Sequence, residues 1–434
     1  MTLGTPRADG TADRGATTDH AGRSPQLPAD DRVASPGVPG GPDGSGAAPV
    51  RFGVSAPHTE ALIDLTAIEG NARRLRELAG PAEVMAVVKA DGYGHGMLES
   101  ARAARAGGAT WIGVAALREA LALRQGGLPG RLLAWLLTPG DDWDAALTAD
   151  IDVSAGATWA VEAVSRAARS TGRTARVHLK VDTGLGRGGP GPDGWPALVN
   201  VAARAEAAGC IQVVGIWSHL ARADEPGHPD CDAQLANFQV AVALARQAGL
   251  RPEVLHLANS AATLTLPEAH FDLVRPGLAL YGLSPVADRA APADFGLRPA
   301  MTLTAPLASV KRVPADHGVS YGHRYRTPRA TALGLVPLGY ADGIPRHASG
   351  TGPVLVGGER YTVAGTVCMD QFVVDLGESA AEPGDEVVLF GPGDRGEPGA
   401  EDWARAAGSI SHEIVARIGS RVPRRYVGGT AGAD

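Results

Sequence analysis

Several short stretches carry residues whose chemistry packing alone does not explain. In AVVKADGYGHG an apolar run delivers Lys89 into a glycine-rich loop. Desolvation at the edge of a core disfavours the ammonium form and leaves an amine able to attack a carbonyl and form a Schiff base. The plainer alternative is a strand-end lysine reaching for water. HLKVDTGLGRGG places Lys180, Asp182 and Arg187 on and after one run. Arg187 there can clamp a carboxylate with a two-pronged hydrogen bond, or simply be solvated. The glycines of that segment allow either a phosphate-cradling loop or an ordinary turn. HLANSAA and VRPGLALYG supply Asn259, Ser260, Arg275, Gly277 and Leu278. A hydroxyl at Ser260 with the backbone N–H groups near Gly277 and Leu278 suits a phosphate. GYGHG lacks the G-x-G-x-x-G spacing of a dinucleotide site.

The elements that position these residues alternate β-rich runs with Ala-, Leu- and Arg-rich helical stretches. Eight strands are expected, at 84–89, 111–115, 132–137, 151–154, 176–182, 213–220, 254–260 and 271–277. Helices such as 96–108 and 238–250 lie between them. Closed into a ring, eight such units form a (β/α)8 barrel, and an open doubly wound sheet is the competing architecture. In a barrel the strand C-termini converge on one mouth, which would gather Lys89, Lys180, Asp182, His219, Asn259, Ser260 and Arg275.

After about residue 283 the helical periodicity gives way to short strands at 302–313, 332–340, 352–358, 360–377 and 385–391, then one amphipathic helix at 402–418. The expected organisation is therefore α/β. A Gly/Pro-rich disordered tail (1–57) precedes a TIM-like barrel (58–295, whose first strand near 61–65 packs with the following domain) and a mainly β domain (296–434). The tail has too few large apolar residues to offset its ordering entropy.

The 434 residues hold 47 acidic and 40 basic side chains, for a net charge of −7 with no basic block. Nucleic acid is not an expected partner. Three cysteines, Cys210, Cys231 and Cys368, form no CxxC pair, so neither a disulfide framework nor a metal site is expected and a reducing cytoplasm fits. The longest apolar stretch, 132–137, is far short of a bilayer span, and no export signal is read at the N-terminus.

AVVKADGYGHG, KVDTGLGRGG, WSHLARAD, HLANSAA, VRPGLALYG, VSYGHRY, GYADG, GTVCMDQ and RVPR occur in the order in which similar motifs occur in the alanine racemases. These are pyridoxal-phosphate enzymes with a barrel and a β domain, and the resemblance spans residues 59–427. It implies that Lys89 holds the cofactor covalently and is one catalytic base, while Tyr321 is the other, in the neighbouring subunit's site. Racemisation needs bases on opposite faces of a planar carbanion. A tyrosine ordinarily titrating near 10 needs positive charge beside it to serve as a base.

The resemblance further implies that Arg275 faces the pyridine nitrogen with His219 behind it, and that Tyr93, Asn259, Ser260, Gly277, Leu278 and His412 bind the cofactor. Arg187 would contact the cofactor and the substrate carboxylate, oriented by a carbamylated Lys180; for that lysine an ordinary ion pair with an acid is the alternative. Met369 and Asp370 would line the substrate site from the partner subunit, and Tyr340 its entrance. His412 departs from the tyrosine that many members carry ahead of RVPR, although either ring can donate one hydrogen bond. The implied enzyme is a cytoplasmic homodimer acting on L-alanine and D-alanine and supplying D-alanine for peptidoglycan. A broader racemase acting on serine or lysine, or a non-catalytic cofactor-binding protein, is the alternative. Decarboxylases of the same architecture would need an acid in place of Arg275.

Overall fold

The computed structural model describes residues 59–429, so the expected tail lies outside the described residues. β1 (Glu60–Asp64) leads into α1 (Leu65–Ala79), whose first turn is capped by the Asp64 carboxylate accepting from the Ala67 amide at 3.1 Å. Ile68, Asn71, Ala72 and Leu75 recur at helical spacing and form its buried face.

The barrel follows. Its strands are β2 (Glu83–Val87), β3 (Trp111–Val114), β4 (Arg131–Ala134), β5 (Asp152–Ala155), β6 (Ala175–Lys180), β7 (Ile211–Trp217), β8 (Val254–His256) and β9 (Leu273–Val274). Every named pairing is parallel, running from β2 through β8 in order, with β9 beside β2. Hydrogen bonds from the Asp272 amide to the Leu255 carbonyl (3.1 Å) and from the Arg275 amide to the Ala258 carbonyl (2.9 Å) close the ring, which excludes the open sheet. All eight expected strands form, yet most stop earlier than their apolar pattern indicates. Lys89, Asp182, His219, Asn259, Ser260 and Arg275 consequently sit in the first residues past strand ends, where the chain leaves the ladder and turns across the mouth.

The lumen of the ring is divided. Met85, Trp111, Leu133, Val254 and Leu273 form a small apolar cluster inside it, with Trp135 packed against them. Strands β5 to β8 instead bury Asp152, Ser154, His178 and His256. Such groups are costly to desolvate unless they find partners.

Beyond the barrel, one six-stranded sheet runs in the order Glu359–Thr362, Pro353–Val356, Glu386–Phe390, Met301–Pro306, β1, Arg424–Val427. β1 is antiparallel to Met301–Pro306 and parallel to Arg424–Val427. A three-stranded sheet comprises Ser309–Val313, Thr331–Val336 and Phe372–Gly377. Three expected elements are each two in the structure. Strand 302–313 breaks at 307–308, and 360–377 breaks into Glu359–Thr362 and Phe372–Gly377 around the TVCMDQ loop. Helix 402–418 is Ala400–Ala407 followed by Ser411–Ala416. Arg424 of RVPR ties this part to the barrel, donating from Nε to the Gly94 carbonyl at 3.1 Å and from Nη1 to the Val422 carbonyl at 2.8 Å.

Candidate active site

Lys89 opens a short turn, Lys89–Tyr93, in which Ala90, Asp91, Gly92 and Tyr93 all lie in the left-handed region with φ of 53°, 53°, 62° and 53°. Three of these are not glycine, so the turn is strained and must be held by its surroundings. Glu119 supplies one hold: Oε1 accepts from the Ala90 amide at 2.7 Å while Oε2 accepts from the Ala115 and Ala116 amides at 3.0 and 2.9 Å. The Asp91 carboxylate accepts from the Met97 amide at 3.0 Å. The result points Lys89 Nζ over the rings of Tyr93 (5.8 Å) and Trp135 (6.0 Å). Burial, and then the positive charge of Arg187, pull the Lys89 pKa below the usual lysine range. Both effects favour the free amine.

Lys180 stands inside the mouth with Nζ 3.5 Å from the centroid of the Trp217 ring. Asp182, its nearest candidate acid in sequence, turns away: its carboxylate accepts from the amides of Gly184 (2.9 Å), Leu185 (2.8 Å) and Arg187 (3.0 Å). The ordinary ion pair is therefore not what the structure shows for Lys180. Burial, followed by Arg275 and Arg187, brings its pKa down to about 7.

Arg275 is 5% exposed, and each of its contacts is to an uncharged group. Nη2 donates to the Ser218 and Leu257 carbonyls at 2.8 and 3.2 Å and lies 3.4 Å from His219 Nδ1, while Nη1 lies 3.2 Å from His256 Nδ1. Burial, then Arg187, lowers its pKa to about 9, which leaves it a cation near neutrality. His219 is kept neutral by burial and by Arg275, Arg187, Lys180 and Lys89, in that order.

At the remaining edge of the mouth, Ser260 Oγ accepts from the amides of Gly277 at 2.9 Å and Ala279 at 3.3 Å. The amides of Gly277 and Ala279, which flank Leu278, thus converge on the Ser260 hydroxyl. A Cβ at Gly277 would overlap the Tyr93 hydroxyl, so glycine lets the tyrosine approach. His412 lies beside Tyr93, ring centroids 6.2 Å apart, and burial followed by Lys89 lowers its pKa to about 4. Asn259 Oδ1 accepts from the Ala262 amide at 3.0 Å, the N-cap of a six-residue helix, Ser260–Thr265.

The mouth therefore brings together Lys89, Tyr93, Lys180, Arg187, His219, Asn259, Ser260, Arg275, Gly277, Leu278 and His412. It concentrates Lys89, Lys180, Arg187 and Arg275, none of them in a salt bridge among the described residues, presents an amine biased toward its free form, and offers converging amides. That donor set fits a phosphate-bearing aldehyde: an amine to bond the carbonyl, amides and Tyr93 for the phosphate, and a donor-only guanidinium for a ring nitrogen.

Tyr321, Tyr340, Met369 and Asp370 form a separate group on the β part. Tyr340 and Ala341 donate their amides to the Cys368 and Met369 carbonyls at 3.0 and 2.9 Å, and the Thr366 hydroxyl donates to the Tyr321 carbonyl at 3.1 Å. Arg421 bridges Asp370 (2.8 Å) and the buried Asp342 (3.1 Å). Tyr321, Tyr340 and Met369 are exposed.

Residues 63–285 match the alanine racemase N-terminal domain and residues 300–426 the alanine racemase C-terminal domain. The chain belongs to the alanine racemase family. It is 64% identical over 373 residues to the alanine racemase of Streptomyces coelicolor, covering 85% of this chain and 95% of the relative. The crystal structure of alanine racemase from D-cycloserine-producing Streptomyces lavendulae superposes with a TM-score of 0.85 at 57% identity, covering 87% of this chain and 98% of that one. The Bacillus anthracis alanine racemase with bound L-Ala-P gives 0.79 at 33% identity, covering 87% and 97%. Among the described residues no helix is long and apolar enough to cross a membrane, and no group of three or more His, Cys, Asp or Glu residues could hold a metal ion.

Sequence reasoning missed Glu119, Trp217, His256 and His178. His178 was detectable, because it lies two residues before Lys180 and so shares its face of the strand.

Proposed function

We propose that this chain is an isomerase interconverting L-alanine and D-alanine, with pyridoxal phosphate held at the barrel mouth and Lys89 and Tyr321 as bases on opposite faces of the substrate. The observation that carries the reading is the unpaired cationic mouth around Lys89, whose amine is desolvated and flanked by Arg187 and Arg275.

When bound, pyridoxal phosphate withdraws electrons from the substrate's α carbon, so that its proton can be removed near neutral pH. Lys89 then takes or returns the proton at that carbon on one face, and the Tyr321 hydroxyl of the partner subunit does so on the other. Tyr93, Asn259, Ser260, Gly277, Leu278 and His412 hold the cofactor's phosphate end. Arg275, a cation near neutrality that only donates, would face the ring nitrogen without protonating it, an arrangement that would disfavour transamination. His219 buttresses Arg275. Arg187 orients the substrate carboxylate together with the Met369 amide of the partner subunit, and Asp370 and Tyr340 frame the approach.

A Lys180 amine that is substantially uncharged near neutral pH can add carbon dioxide, forming an N–C bond and releasing a proton to water. The carbamate would anchor Arg187. The working unit is a homodimer with shared sites, in a reducing cytoplasm where the three free thiols are stable and D-alanine enters peptidoglycan synthesis.

The test is incubation of the purified protein with pyridoxal phosphate and L-alanine in heavy water. D-alanine carrying deuterium at the α carbon is the expected product. Neither exchange nor inversion, with cofactor bound, would overturn the reading.

A further inference from the structure

A buried column of polar groups runs down the barrel lumen away from the mouth. Arg275 Nη1 lies 3.2 Å from His256 Nδ1, and His256 Nε2 lies 2.9 Å from His178 Nδ1. His178 Nε2 in turn lies 3.5 Å from Asp152 Oδ2. His178, His256 and Asp152 are fully buried. His178 Nε2 and Asp152 Oδ2 are both buried without a hydrogen-bonding partner among the described residues, and at 3.5 Å each is the polar group the other faces. Asp152 is fixed from the far side by Arg176, whose Nε donates to Oδ1 at 2.6 Å, and by Arg131 Nη2 at 3.2 Å from Oδ2. Space for the His178 ring is made across the β6–β7 ladder, where the register shifts after Val177 and a Cβ at Gly215 would overlap the imidazole.

We infer that Asp152, acting through His178, is a positioning residue that fixes the tautomer of His256 and thereby the orientation of Arg275. This rests on the proposed role of Arg275 in the racemase site. The two ends of the column allow one arrangement of protons. A guanidinium only donates, so His256 Nδ1 must accept; a neutral ring then carries its proton on Nε2 and donates to His178 Nδ1. That forces the His178 proton onto Nε2, directed at a carboxylate that only accepts. Each imidazole has one proton to give, and the column uses each once. The protonation directions agree. Burial, and then Arg275, hold His256 neutral, and burial outweighs Asp152 in keeping His178 neutral. Burial pushes Asp152 upward, but His178, Arg176 and Arg131 together bring it below the usual carboxylate range.

An amide at position 152 gives its oxygen to the arginines and turns an NH2 group toward His178 Nε2. The His178 proton must then sit on Nδ1 and be donated to His256 Nε2, which drives the His256 proton onto Nδ1 against Arg275 and disrupts that donation. Nitrogen-15 NMR of the histidine-labelled holoenzyme reads this directly. The expected result is that His178 and His256 are both neutral with the proton on Nε2, and that Asp152→Asn moves the proton of both rings to Nδ1. Arg176→Met, which keeps the carboxylate, leaves both tautomers in place. For Asp152→Asn, kcat falls about tenfold with little change in KM, as small misplacements of a reacting group do, and the cofactor absorption band shifts. A proton on Nδ1 of either ring in the parent enzyme would overturn the inference even if the variant failed to fold. Unchanged tautomers in a folded Asp152→Asn would overturn it as well. Absence of racemisation in the parent protein, with the tautomers as expected, would count against the site reading alone.

Discussion

The barrel mouth and the TVCMDQ face of the β part carry their functional side chains in opposite ways. At the mouth, Arg275 is 5% exposed and Lys89 lies in a turn of four left-handed residues fixed by Glu119 and Asp91. On the other face, Tyr321 is 74% exposed and Met369 52% exposed, held by backbone hydrogen bonds while their side chains face solvent. Burial at the mouth depresses lysine and histidine pKa values and creates chemistry within one chain. The exposed tyrosine has no such environment in its own chain. The contrast fits the proposed shared site, in which one face is preorganised within the chain and the other would be completed by a second chain.

The largest expected effect is at the preorganised half. Lys89→Ala removes both the cofactor's covalent anchor and one base, and should lower kcat by about 10⁴-fold, the upper range for general acid–base groups. Steady-state racemisation assays check this, and the cofactor absorption band should lose its Lys89-linked form. Tyr321→Phe should lower kcat by about 10²–10³-fold while leaving the melting temperature of an isolated chain unchanged. Because only one face loses its base, α-deuterium exchange without inversion should persist for one enantiomer. Equal loss of exchange for both enantiomers would place Tyr321 outside the chemistry.

A third outcome separates the two faces by pH. His95, buried and donating from Nδ1 to the Gly92 and Tyr93 carbonyls (3.1 and 3.0 Å), has its pKa lowered from 6.5 to about 4 by burial. The unfolded chain therefore binds a proton between those values that the folded chain refuses. Stability is full above about 6.5 and declines as pH falls toward 4. Thermal melts between pH 7 and 4.5 should show this decline, and His95→Gln should make it shallower, leaving the part due to His178, His219, His256 and His412.

The smallest effect is expected at His412. It is neutral above about pH 4 and sits beside Tyr93, so His412→Tyr should change kcat for alanine less than threefold and leave its pH profile above 5 unaltered. The ratio of serine to alanine turnover is the more sensitive reading, because the side chain narrows the mouth.

Much of this was legible in the sequence, and what was not has identifiable causes. The eight strands were legible because fully buried parallel strands read as apolar runs between helical stretches. Their ends were not, since Val88, Val181 and Leu257 continue the apolar pattern past the last strand residues, Val87, Lys180 and His256. Lys89, Lys180 and Arg275 stood out as charges interrupting such runs. Glu119 did not, because it lies on an ordinary amphipathic helix, Leu117–Gln125, and acts through backbone amides 29 residues back. Asp152 was hidden for the opposite reason: it is a polar residue inside a strand, and its partners come from other strands of the ring. The turn at Ala90–Tyr93 was illegible because only one of its four left-handed residues is glycine.

The shared site is the claim on which the two halves stand together. The most direct measurement mixes purified Lys89→Ala and Tyr321→Ala proteins, each inactive alone, under conditions where subunit exchange is demonstrated by mass spectrometry. A mixed dimer joins an intact Lys89 to an intact Tyr321 in one of its two sites, so complete exchange should restore about a quarter of the parent activity. No recovery in a mixture proven to contain mixed dimers would contradict the account.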